Sequence, residues 1–335
     1  MISFFPAPYP DELWYSVICR YHIRSGNPCI KHTLRQLYGD RYYNSSLTLC
    51  GPLQRLLSQL PHGLFSAKQI VLEHTLFPYY ARFFNAKRKR DAYKYVQKGD
   101  PSAVHRLGIY QSGLRHHTMR YCPDCFREDL TLYGEPYWHR LHQLPDMKIC
   151  PKHHNWLVDT DVQYDSSHQL TLCLPTLQMR LSAPVCDHIS KPLCALNFSI
   201  QSALCEPFRM VDGTAYRAVF DQRLRTCGWR SLTGGRTYAK KIETALLTFY
   251  GPVVPFEDIA AQQLHATLSK KNVSTRHILE LATFWGISLS DLLTAPAHFT
   301  DYKADIREMF AGGTSMNTIA RLYGIDAKTV SRWVK

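Results

Sequence analysis

Cys122 and Cys125 stand as C-x2-C in "RYCPDCFREDL", and after 24 intervening residues Cys150 and His153 stand as C-x2-H in "CPKHH". A pair separated by two residues makes a tight knuckle that offers two ligands to one ion, and backbone N–H groups there stabilise thiolate sulfurs. Two such pairs complete a tetrahedral sphere, and thiolate with imidazole at about 2.0–2.3 Å suits a structural Zn2+. Pro123 and Pro151 each follow the first ligand of a pair and stiffen both knuckles. A redox dithiol fits less well, because the C-x2-H lies at finger-like distance and no βαβ pattern is near. A catalytic zinc would keep one position open beside a carboxylate base, whereas four spaced ligands fill the sphere. His139, His142 and His154 compete with His153 for the fourth place, and the matched spacing favours His153. Glu128, Asp129 and Glu135 read as helix-start and loop residues. Cys173, Cys186, His188 and Cys194 offer a second candidate site, but gaps of 12, 1 and 5 residues make no double knuckle.

The last residues, "SMNTIARLYGIDAKTVSRWVK", carry a second pattern, that of a helix-turn-helix at 316–335. Two tightly crossed helices need a small residue facing the partner, a glycine at the turn and apolar residues on the second helix. Ala320, Gly324, Ile325, Val330 and Trp333 meet those needs. The outer face of the second helix then holds Lys328, Ser331, Arg332 and Lys335, types that read bases or hold phosphates in a major groove. Packing alone, or a protein partner, is the other use of such a helix pair. The chain ends at Lys335 on this helix, so a continuation beyond it is expected. Upstream, "HILELATFWGISLSDLLTAP" repeats the pattern with Ala282, Gly286 and Ile287, but Pro296 stops its second helix early, which fits supporting packing or a degenerate copy.

Between these motifs, "RLRTCGWRSLTGGRTYAKK" holds Arg223, Arg225, Arg230, Arg236, Lys240 and Lys241 without an acid. Gly228, Gly234 and Gly235 would let its backbone approach a phosphate, and a flexible surface loop is the alternative. Nearer the start, "ARFFNAKRKRDAYKYVQKG" has seven basic residues from Arg82 to Lys98 against Asp91 alone. It reads either as a contact for phosphates or an acidic surface, or as a solvated helix face.

The elements that must position these groups are mostly helical. "DELWYSVICRYHIRSG" predicts a helix from near Asp11 to Gly26, and a second runs from Lys31 to Tyr38 before Gly39. That pair is either a small helical core or a degenerate helix-turn-helix. Pro52 and Ser66 open further helices. "DVQYDSSHQLTLCLPT" alternates like a short strand or hairpin, and Pro175, Pro184 and Pro192 make the following stretch irregular. Helices resume in "YRAVFDQRL", "YAKKIETALLTFYG" and "FEDIAAQQLHATLSKK". The expected fold is mainly α: a helical domain at 1–115, a central CCCH zinc finger at 116–160, an irregular connector at 161–211 and a helical DNA-binding domain at 212–335.

The bulk properties agree with a polyanionic partner. Among 335 residues, 40 Lys and Arg face 27 Asp and Glu, for a net charge of +13. Double-stranded DNA is the first candidate, and a membrane surface would need an amphipathic basic helix that is not evident. The N-terminus has no signal-peptide pattern and no stretch nears about 20 uninterrupted apolar residues, so a soluble protein is expected. Eleven cysteines, most of them single in apolar settings, fit reduced thiols in the cytoplasm, where the sequons at Asn44, Asn197 and Asn272 carry no meaning.

The stretches "FPAPYPDELWYSVICRYHIRSGN", "LEHTLFPYYARFF" and "RYCPDCFREDLTLYGEPYWHRLHQLPDMKICPKH" resemble the TnsD branch of the TniQ family of transposon target-selection proteins, over roughly residues 4 to 160. The resemblance implies a protein that neither cuts nor joins DNA. It would recognise an insertion site in a prokaryotic cytoplasm, associated with the nucleoid, and recruit a AAA+ ATPase regulator (TnsC-like) that engages the transposase. It also places the family's zinc finger on Cys122, Cys125, Cys150 and His153, and the ATPase contact in the N-terminal region. A second cysteine finger has no clean match. Shorter TniQ-like members dock instead on an RNA-guided CRISPR complex, which is the second reading. The third is a zinc-containing DNA-processing enzyme, which would need acids gathered at two metal ions that the spacing does not supply.

Overall fold

The structure, a computed structural model, describes residues 2–39, 49–109, 118–144, 147–163, 172–176, 189–230, 237–251, 274–294, 302–323 and 325–334. Among them the chain forms sixteen helices and one two-stranded sheet. None of those helices is long and apolar enough to cross a membrane. The chain packs as two compact units, Met1–Gly213 with Ser274–Thr283, and Thr214–Val273 with Phe284–Lys335.

In the first unit, α1 (Trp14–Ser25) buries Trp14, Val17, Ile18 and Tyr21, apolar residues at three and four spacing, and ends at Gly26, whose φ of 68° is a left-handed C-cap. The start expected near Asp11 lies three residues later. Asp11 has φ 55°, outside the right-handed helical region, and its carboxylate accepts from Leu141 N at 2.9 Å and Arg140 Nε at 3.2 Å. The chain before α1 is thereby tied to residues 140–141, and Leu13 N donates to the Trp138 carbonyl at 2.9 Å. Next come α2 (Ile30–Tyr38), α3 (Leu53–Gln59) after Pro52, and α4 (Ala67–Glu73), where the Ser66 hydroxyl accepts from Gln69 N at 3.0 Å. They are followed by α5 (Phe77–Ala81), α6 (Ala86–Gln97) and α7 (Ser102–Leu107).

The basic run is not one kind of surface. Arg82 and Lys89 are buried at 2% exposure each. Arg82 donates to the carbonyls of Ala203 (2.8 Å), Glu206 (2.8 Å) and Pro207 (3.1 Å), and Lys89 Nζ donates to that of Arg209 (3.2 Å). Phe208 fills the space between them, its ring 5.2 Å from the Arg82 guanidinium and 5.0 Å from Lys89 Nζ. Burial pushes Lys89 down to about 8 and Arg82 down to about 10. These two cations hold the strap 203–213 in place.

β1 (Thr118–Tyr121) pairs antiparallel with β2 (Val158–Gln163), in the register Arg120↔Asp159 and Tyr121↔Val158. This pairing sets the two ends of the cysteine region side by side, with α8 (Pro123–Tyr133) between them in sequence. The alternation seen in "DVQYDSSHQLTLCLPT" corresponds to the end of β2, and residues 164–171 lie outside the described set. α9 (Lys191–Cys205) then packs on α5.

The second unit contains α10 (Tyr216–Thr226), α11 (Ala239–Tyr250), the end of α12 (Thr275–Trp285) and α13 (Leu289–Leu293). Phe220 meets Trp285 edge-on at 5.3 Å, and Phe249 meets Phe284 at 5.3 Å. "FEDIAAQQLHATLSKK" lies outside the described residues. The unit closes with α14 (Tyr302–Ala311), α15 (Met316–Tyr323) and α16 (Ala327–Val334) around a core of Ile306, Ile319, Ala320, Val330 and Trp333. Ala320, Val330 and Trp333 are where the pattern put them, Ile325 packs against them, and Gly324 lies outside the described residues. Ile306 and α14 complete this core from a stretch that carried no reading in the sequence.

Candidate metal centre

Cys122 directly follows β1 and is the N-cap residue of α8, so Pro123 takes the first helical position and Cys125 falls in the first turn. Both sulfurs therefore sit at the N-terminal end of α8, where the helix dipole favours negative charge. The second knuckle is closed by backbone bonds from Cys150 N to the Asn155 carbonyl (2.8 Å) and from His154 N to the Cys150 carbonyl (2.9 Å). His154 adopts φ 57° to make that turn and is exposed. A bridge between Ile149 and Trp156 pins the loop at its base.

Cys122, Cys125 and Cys150 are buried at 0%, 4% and 1% exposure and converge with His153. His153 Nδ1 lies 3.6, 3.3 and 3.7 Å from the sulfurs of Cys122, Cys125 and Cys150, and the sulfurs of Cys125 and Cys150 are 3.6 Å apart. Ligands at about 2.0–2.3 Å from one tetrahedral ion are separated by about 3.3–3.8 Å, so these edges match such a sphere. They are too long for a disulfide, whose sulfurs lie about 2.05 Å apart. Without a cation the sulfurs compete for protons: contacts with Cys122 and Cys150 push Cys125 up, and those from Cys122 and Cys125 hold Cys150 down. A bound cation would stabilise all three as thiolates.

Of the competing histidines, His139 is engaged elsewhere, His154 is exposed, and His142 touches the cluster at one sulfur only. His139 Nε2 donates to Asp129 Oδ2 at 2.9 Å, and His142 Nε2 is 3.8 Å from Cys125 alone. Burial, with His139 beside it, pushes His142 down to about 3. His153 Nε2 donates to Glu128 Oε1 at 2.9 Å, which leaves Nδ1 as the acceptor facing the sulfurs. Without a cation, burial works against protonating His153, but Glu128, Cys150 and Cys122 outweigh it and hold the ring up to about 9, so a bound ion would displace the Nδ1 proton.

Three acids read as helix-start and loop residues have other work. Glu128 orients His153 and pairs with Lys152; Asp129, 4% exposed, holds His139; Glu135 accepts from Arg20 Nε at 2.7 Å and Arg24 Nη2 at 2.5 Å. Their partners lie 10 to 115 residues away, beyond any local pattern. Of the second cysteine set, Cys173 sits 4.0 Å from the Tyr15 hydroxyl, Cys194 is exposed, and Cys186 and His188 lie outside the described residues.

The cations expected at DNA divide as well. On α16 Lys328 and Arg332 are exposed and Ser331 is half-buried, with Arg332 Nη2 only 3.5 Å from Thr329 Oγ1. Asp326 Oδ1 accepts from Lys328 N at 2.9 Å and caps the helix. Lys240 and Lys241 are exposed at the start of α11. Arg230 pairs with Asp221, which also takes Arg225 Nε at 2.7 Å, and donates to Thr237 Oγ1 at 3.1 Å. The acid comes from α10, just ahead of the stretch read as acid-free. Arg236 and Lys335 lie outside the described residues.

The family model that matches this chain is TniQ, over residues 3–157, a range that contains all four converging side chains. Residues 3–157 are thus similar to a TniQ domain. Over 154 residues the chain is 38% identical to the transposon Tn7 transposition protein TnsD of Escherichia coli. That alignment covers 44% of this chain and 30% of the relative. In the TniQ-like region the cluster therefore joins β1, α8 and the Cys150–His153 turn at one ion-sized centre, with Glu128 behind the imidazole.

Proposed function

We propose that this protein selects the insertion site of a DNA transposon. It binds double-stranded DNA sequence-specifically and recruits a AAA+ ATPase regulator, through which the transposase is engaged, without catalysis of its own. The observation that carries the reading is the TniQ-like region with its relative, a Tn7 transposition protein. The net charge of +13 and the compact terminal helices support DNA as the partner, with α15 and α16 as a helix-turn-helix and Lys328, Ser331 and Arg332 on its reading face. Lys240 and Lys241 serve as phosphate contacts.

The ion is zinc, held by Cys122, Cys125, Cys150 and His153. Three thiolates with one imidazole suit it, and a filled sphere makes its role structural. It locks β1 and α8 to the Cys150–His153 turn.

A binding screen of randomised duplexes at physiological salt tests the reading, with footprinting in the presence and absence of the ATPase. Wild-type protein selects a site, and K328A and R332A each lose about 1–3 kcal/mol of discrimination, the value of a good base contact. No preference for any duplex would sink direct readout. Such a result would favour an adaptor docked on an RNA-guided complex, whereas a preference that survives both substitutions would move the reading face off α16.

A further inference from the structure

We propose that the exposed face of α6 is a phosphate-contact surface for duplex DNA, carried by Lys87, Arg90, Lys94 and Lys98. This rests on the DNA-binding reading above but concerns a different surface, on the TniQ-like region itself. The four residues are spaced three, four and four apart and are all exposed. At a rise of about 1.5 Å per residue they make one stripe roughly 16 Å long. The opposite face of the helix, with Lys89, Ala92 and Val96, is buried, so α6 is docked by one side and presents the other. Neighbouring α7 adds Arg106, whose guanidinium lies on the Tyr95 ring at 3.8 Å with Nε donating to Ser102 Oγ at 3.2 Å. That placement orders an exposed cation before any ligand arrives and lowers the cost of fixing it.

The chemistry of the face decides between nucleic acid and an acidic protein. Its exposed positions are Lys87, Arg90, Asp91, Lys94 and Lys98, with no apolar side chain among them, and the nearest ring, Tyr95, is covered by Arg106. A protein interface draws its energy from desolvated aromatic and aliphatic anchors, which this face lacks. A phosphate backbone asks only for cations at intervals and gives up counterions in return. Asp91 opposes that use from within the stripe.

Affinity of the full-length protein is measured against salt on its selected duplex and on a mixed-sequence duplex. In the triple variant K87A, K94A, K98A the slope of log K against log salt falls by about 2.7, at about 0.9 per phosphate, equally on both duplexes. Site preference is unchanged, and alanine keeps the helix. D91N acts in the opposite sense and tightens binding at low salt, a readout that loss of folding could not mimic. An unchanged slope in the triple variant together with a neutral D91N overturns the proposal, and if site preference persists the proposed function survives alone. A slope that falls in the triple variant while the wild type shows no site preference does the reverse. Loss of binding to an acidic protein or single-stranded RNA, with the duplex slope intact, also overturns it.

Discussion

His153 hands its two nitrogens to different partners: Nδ1 faces three cysteine sulfurs at 3.3–3.7 Å, and Nε2 donates to Glu128 Oε1 at 2.9 Å. The carboxylate fixes both the tautomer and the plane of the ring, and raises its basicity toward an ion. Removing it with Glu128→Ala is expected to lower metal affinity about 10–100-fold without changing the stoichiometry. Competition against a chromophoric chelator reads this directly. Wild-type affinity in the variant would mean that the knuckle backbone alone orients the ring.

Closed Cys3His spheres couple binding to folding, so the ion and the 118–163 region stand or fall together. Metal analysis of gently purified protein should return about one zinc per chain. Cys122→Ala should return almost none and lose amide protection across β1, α8 and β2. Cys173→Ala, whose sulfur lies beside Tyr15 instead, should keep the full content. Equal metal loss in the two variants would assign Cys173 to a site.

Glu12 carries a pH dependence of its own. It is fully buried and accepts from Tyr9 N (2.8 Å), Ser16 Oγ (2.8 Å) and Arg20 Nη1 (2.9 Å), yet burial outweighs these partners and pushes its carboxyl up from 4.5 to about 7. Between those values the folded protein holds a proton that the unfolded chain has released, so this contribution is complete below the unfolded value and is lost as pH rises through 7. At about 1.4 kcal/mol per pK unit the loss reaches roughly 3 kcal/mol. In urea titrations from about pH 5 to pH 8 the wild type should lose stability of that order relative to Glu12→Gln. Parallel curves would show the carboxylate to be ionised throughout.

The ligands were legible because knuckle spacing is a local property: C-x2-C and C-x2-H fix their own geometry within four residues each. Glu128 was not, because the imidazole it serves is 25 positions away and reaches it only when β1 pairs with β2. The run from Arg82 to Lys98 misleads for the same reason. A cation looks solvated in sequence, and the carbonyls that hold Arg82 and Lys89 belong to a strap more than a hundred residues later. The spacing in α15 and α16 revealed Ala320, Val330 and Trp333, since two adjacent helices share one core. It could not reveal that Ile306 supplies the third wall.

That wall is a testable load. Ile306 is fully buried against Ile319, Ala320, Val330 and Trp333. Truncation leaves a cavity in a very small core, and Ile306→Ala should cost about 2–5 kcal/mol. Hydrogen exchange should show the loss in α14 to α16 and site-specific DNA binding should fall with it, while metal content stays constant. Unchanged protection in these helices would mean that α15 and α16 hold together by themselves.

Gly213 tests the strap from its other end. Its N–H donates to the Phe84 carbonyl at 3.0 Å, and a Cβ built there would stand 2.3 Å from the Arg82 carbonyl oxygen and 3.1 Å from both Lys89 Nζ and the Phe84 oxygen. The nearest obstacle is backbone and cannot swing aside, so Gly213→Ala must lift the strap away from the two buried cations. Overpacking of this kind costs about 1–3 kcal/mol. Gly312→Ala is the control, because its nearest atom is 3.4 Å away and its backbone is unstrained. Chemical denaturation should separate the two variants by more than about 1 kcal/mol, with Gly312→Ala near wild type. Equal stabilities would mean that the strap rests loosely on Arg82 and Lys89, and that their burial serves something other than holding residues 203–213.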